Sequence, residues 1–170
     1  MNPQAGLAFG QAPPYSLPLR FFLTAPLFLL AAAGLIVWAP EALGSRWTPQ
    51  TLALTHALTL GFLAMVMLGA LLQMLPVVAG SSIPAPRWVA WFSHAPLTLG
   101  TIALMTGFLT AAPAAFGIAI ALLGGGITVF LAMASISLAR AAAGVTVTGV
   151  RLAMACLGVT LLLGLTLALL

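Results

Sequence analysis

Residues 55–80 read THALTLGFLAMVMLGALLQMLPVVAG: one histidine, His56, within an apolar run that closes on Pro76 and Gly80. A run of this length without a charged side chain spans a bilayer as a helix. At 100° per residue, Leu60, Leu63, Met67, Ala70 and Met74 fall within about 40° of His56, whereas Gly61 and Gly69 point about 140° away. One face of the expected helix thus carries an imidazole above apolar bulk. The other carries small residues suited to contact with a neighbouring helix. A polar, metal-competent side chain at membrane depth needs a partner, because hydrocarbon offers none. Two readings of His56 stand side by side: an axial ligand over an apolar wall, which suits a flat macrocycle such as haem, or a histidine bonded to a backbone carbonyl or threonine.

Outward from this stretch, the 170 residues are 63% hydrophobic and 4% charged, so lipid is the solvent for most of the surface. The fold class is all-α, a polytopic membrane bundle of about five helices over residues 17–39, 51–78, 88–110, 115–139 and 150–170, one transmembrane domain in all. Residues 1–16, with Pro3, Gly6, Gly10, Pro13 and Pro14, read as a flexible tail without a cleavable signal peptide. In the fourth span, Gly117, Ala121 and Gly125 at four-residue spacing are expected to form a packing face. Cys156 has no partner cysteine and is expected to pack in the core. The chain stops in apolar residues at Leu170, an ending that fits the N-terminal part of a longer bundle.

The arginines orient the bundle. Arg20, Arg87, Arg140 and Arg151 fall at the end where the first span begins, and Arg46 lies at the other end beside Glu41, the sole acidic residue. The positive-inside rule then places the N-terminus in the cytoplasm and His56 near the outer face. Trp38 and Trp47 mark one interface, Trp88 and Trp91 the other. The scattered arginines exclude nucleic acid as a partner, despite a net charge of +4.

His94, the second histidine, opens a stripe with Thr98, Thr101 and Met105 and is a further candidate metal ligand. The threonine hydroxyls are expected to bond carbonyls of their own helix. At 1.5 Å per residue the two histidines lie roughly 20 Å apart along the membrane normal, so one haem cannot take both from one chain. No carboxylate lies within a span, which excludes a carboxylate-bridged metal site and an acid/base dyad.

The spacing of His56, Gly61, Phe62, Gly69, Pro76 and Gly80 resembles the second membrane helix of the NnrS family, haem- and copper-containing proteins associated with nitric oxide metabolism in denitrifying bacteria. Arg20, Phe21, Phe22 and Leu23 resemble the opening of that family's first helix. More distantly, His56 is similar to the axial haem ligand in helix two of subunit I of haem-copper oxidases and nitric oxide reductases. The family pattern also has a histidine and an acidic residue where this chain has Leu54 and Ala57. The resemblance covers residues 20–80. It implies a multi-pass protein of the bacterial inner membrane that binds haem b, with His56 as axial ligand and Leu60, Leu63, Met67 and Met74 lining the pocket. Copper has too few ligands by count. Five spans do not make a complete oxidase or reductase, so the second axial ligand is expected from a second copy, a respiratory partner subunit or further chain. The alternative is a membrane transport or scaffold subunit without a cofactor.

Overall fold

The computed structural model describes residues 7–169, and among them every regular element is helical. Five helices are long and apolar enough to cross a membrane: α1, Ser16–Trp38; α2, Pro49–Ala79; α3, Pro86–Thr110; α4, Pro113–Arg140; and α5, Val145–Leu169. Successive spans reverse direction. The starts of α1, α3 and α5 therefore share one end of the bundle, here the entry end, with the finishes of α2 and α4. Trp88 and Trp91 are exposed at the entry end and Trp38 and Trp47 at the far end, as interfacial indoles are.

Proline sets three of the helix starts. Pro49, Pro86 and Pro113 occupy the first helical position of α2, α3 and α4, where a missing N–H costs nothing. Each start falls two residues earlier than the apolar pattern alone indicates. Thr48 caps α2 by accepting the Thr51 amide at 3.3 Å, and Ala42 in the preceding turn accepts the Thr51 hydroxyl at 3.0 Å. Gly80, at φ 63°, ends α2 in the left-handed conformation that glycine adopts without strain. Helix α5 begins at Val145, so Gly149 lies inside it rather than in a connection.

The core is a seam of α1, α2, α3 and α4, led by Phe21, Met65, Leu68, Leu72, Leu97 and Phe130. Helices α3 and α4 form the most extensive pairing. Their approach is set by Gly126: a Cβ there would stand 2.8 Å from the Cβ of Pro96. The Gly117, Ala121 and Gly125 stripe, expected to pack, instead faces outward, with open space beside both glycines. The small residue that mattered lies one position further along, because α3 arrives on the Leu123, Gly126, Ile127 and Phe130 face. Helix α5 packs against α4 and buries only Val147 and Met154. Cys156 is consequently exposed rather than in the core.

Before α1, the chain is tied to the bundle. The Ala8 amide donates to the Val77 carbonyl at 2.9 Å, and Pro13 is buried. Residues 1–6 of the expected flexible tail lie outside the described residues.

Candidate functional site

Helix α2 has two regimes. Residues Pro49–His56 are α-helical, Ala57–Ala64 form a π-helix, and Met65–Ala79 return to α. Three side-chain donors crowd the entrance to the wide segment: Thr55 and Thr59 hydroxyls bond the Thr51 and Thr55 carbonyls at 2.8 Å, and the His56 ring bonds the Leu52 carbonyl at 2.7 Å. They compete for carbonyls that an α-helix reserves for its amides. Over Ala57–Ala64 the ladder takes the wider spacing, a feature that recurs at functional sites. Burial follows it, with Ala53, Ala57, Gly61 and Met65 buried at every fourth position.

The slip redistributes the expected face. Gly61 lies under Phe28 of α1, where a Cβ would overlap that ring, and Gly69 lies under Phe21, so both glycines admit α1 as the sequence indicates. His56 turns to α3 instead, stacking on Phe108 with centroids 5.0 Å apart and an interplanar angle of 30°; Phe108 meets Phe116 edge-on at 5.2 Å. Leu60, one turn on, is half-buried against the core. Leu63, Met67 and Met74 are more than half exposed, at 52%, 59% and 52%. A single helical period does not hold from His56 to Met74. The structure keeps Leu60 near the histidine and leaves the other three on the lipid-facing flank of α2.

His56 Nδ1 faces a carbonyl, which only accepts, so Nδ1 carries the proton. In the neutral ring Nε2 is then a lone pair, and His56 is half-buried. A backbone carbonyl on one ring nitrogen is the arrangement that orients a histidine for ligation through the other.

His94 is wired the opposite way. Its Nε2 lies 2.8 Å from the Thr24 hydroxyl, whose own proton goes to the Arg20 carbonyl at 2.8 Å. The hydroxyl has one proton, so the imidazole is the donor and Nε2 is protonated. Phe21 closes on the ring edge at 5.0 Å. The outer nitrogen of His94 is thus spent on tying α3 to α1. Thr98 and Thr101 hydroxyls bond the His94 and Leu97 carbonyls of their own helix, at 2.8 and 2.7 Å, as expected. Met105 packs half-buried against the core.

The separation of the histidines is visible along α3. Phe108, which touches His56, follows His94 by fourteen positions, about 21 Å of helix. Among the described residues, no three His, Cys, Asp or Glu side chains converge to hold a metal ion. Two grooves of about 460 and 400 Å³ lie away from both histidines. One is lined by Leu131, Leu138, Arg151 and Met154, the other by residues of the docked N-terminal segment with Ile83 and Pro84.

No family model matches the chain, and neither a curated protein nor a solved structure is significantly similar to it. Composition and architecture define its class: an integral membrane protein, an all-α bundle with five candidate spans.

Proposed function

We propose that the protein is a membrane haem protein, related in role to the NnrS and haem-copper oxidase subunit I families it resembles, with His56 Nε2 as one axial ligand. The observation that supports this is the 2.7 Å bond from His56 Nδ1–H to the Leu52 carbonyl, which fixes the tautomer and leaves Nε2 as the donor atom. Phe108 holds the ring plane by stacking, and Leu60 supplies apolar bulk beside it. Leu63, Met67 and Met74 extend an apolar flank along α2 that a macrocycle at the helix surface would cover. A b-type haem bound there would supply one-electron or nitric oxide chemistry. The chain's own part would be to present Nε2 of one half-buried imidazole held by the Leu52 carbonyl and Phe108. A second ligand would have to come from a second copy, a respiratory partner subunit or further chain, because His94 is bonded to Thr24 about 21 Å away. In this reading the protein sits in a bacterial inner membrane, with its N-terminus in the cytoplasm and His56 near the outer face.

The test is an absorption spectrum of the detergent-purified protein, oxidised and dithionite-reduced, with a pyridine haemochromogen assay. A b-type spectrum is expected. A colourless protein after haem is supplied during expression overturns the reading.

A second reading, a transport or scaffold subunit without a cofactor, is favoured by a different observation. Arg20 Nε, Gln73 Oε1 and Ser93 Oγ are buried without a hydrogen-bond partner among the described residues, all in the entry half of the bundle. Buried polar atoms lining a polar path would account for them. A colourless, metal-free protein whose His94 variants alter proton or solute movement would favour this alternative.

A further inference from the structure

Arg20 presents a problem that neither histidine solves. It lies in the first turns of α1, and its Nε is buried without a partner among the described residues. The chain's one acidic side chain, Glu41, follows the other end of the 23-residue helix, about 34 Å away. No carboxylate of this chain's side chains can therefore neutralise the guanidinium. Instead, it stacks over the indole of Trp91, with Cζ 4.7 Å from the ring centroid. Stacking satisfies the face of a guanidinium but does not neutralise its charge.

Trp91 belongs to α3, and Arg87 precedes it by four positions, one turn nearer the membrane surface on the same side of the helix. Arg20 thus lies over an exposed indole at the entry end, and Arg87 is exposed one turn away on the same helix as that indole. The start of α3 adds to the positive potential: Ala85 offers no side-chain cap to the first amides. Arg46 provides an internal contrast. It also lies over an indole, Trp47, at 4.8 Å, but it is exposed and shares its connection with Glu41.

We propose that Arg20, Arg87 and Trp91 form a binding site for the phosphate of an anionic phospholipid in the leaflet at the entry end. Charge complementarity selects the occupant, because two cations without a counter-ion at a membrane interface match an anionic headgroup. The indole, 57% exposed, offers the glycerol region an amphipathic surface. The phosphate supplies the counter-charge that the chain's side chains do not bring to Arg20. This site is independent of the haem reading and lies at the opposite end of the bundle from His56.

The experiment is native mass spectrometry of the full chain released from detergent with added phosphatidylglycerol or phosphatidylcholine. Phosphatidylglycerol is expected to be retained in preference, with about fivefold lost for each arginine removed. The Arg20→Gln, Arg87→Gln double variant should therefore lose the preference, and Arg46→Gln should keep it. If the double variant does not fold, Arg87→Gln alone, at an exposed position, is expected to show the single-step loss. Equal retention of both lipids by the native chain, an unchanged preference in Arg87→Gln, or displacement by inorganic phosphate as effective as by lipid would each overturn the proposal.

Discussion

The two ends of this bundle use the same residue type in opposite ways. At the far end His56 spends Nδ1 on its own helix and rests on an aromatic pair, so its outer nitrogen is uncommitted. At the entry end His94 spends its outer nitrogen on Thr24 of another helix, beneath a charged and partly unsatisfied layer. Function in a histidine follows from which nitrogen its neighbours leave free. A histidine bonded within its own helix remains available. One bonded across helices is a strut.

That contrast can be broken in several places. The largest effect is expected at Gly61, where a side chain would meet the Phe28 ring: Gly61→Leu should cost more than about 3 kcal/mol or abolish folding, read as loss of the monodisperse peak in detergent. Gly125→Leu, which meets open space, is the matched control and should leave that peak unchanged. Next comes the strut. Thr24→Val leaves the His94 Nε2–H without its acceptor and should cost about 1–3 kcal/mol in denaturant or thermal unfolding, with no change at His56. Phe108→Leu removes the ring beneath His56 and should cost about 1 kcal/mol while broadening any signal from the imidazole. Thr98→Val is the smallest change, within about 0.5 kcal/mol, because its hydroxyl serves only its own helix.

Much of this architecture is legible in the residues because lipid imposes a blunt rule: each span must be apolar for its whole length and close its own hydrogen bonds. That rule yields five spans and places the histidines at opposite ends. The glycine contacts at positions 61 and 69 are legible for a related reason, as small residues on an otherwise bulky helix. The π segment is not, because a helical wheel assumes the period it is used to detect. The cluster Thr55, His56 and Thr59 does not mark it, because Thr98, Thr101, Thr106 and Thr110 aim the same hydroxyl bonds back along α3, which stays α-helical. The Gly117, Ala121 and Gly125 stripe shows the complementary failure. Spacing alone cannot say which side a neighbour approaches, and α3 chose Gly126. Proline at positions 49, 86 and 113 opens each helix, a start that the apolar pattern, which begins two residues later, does not give. The tautomer of His94 depends on Thr24, seventy positions away, and nothing local encodes it.

The central claim, that His56 is the open ligand and His94 the strut, is tested most directly by comparing Soret absorbance in the native chain, His56→Ala and His94→Ala, each purified in detergent and checked for folding. The account predicts a Soret band in the native chain that is abolished in His56→Ala and retained in His94→Ala. A band that survives His56→Ala, or one lost only in a folded His94→Ala, would contradict it.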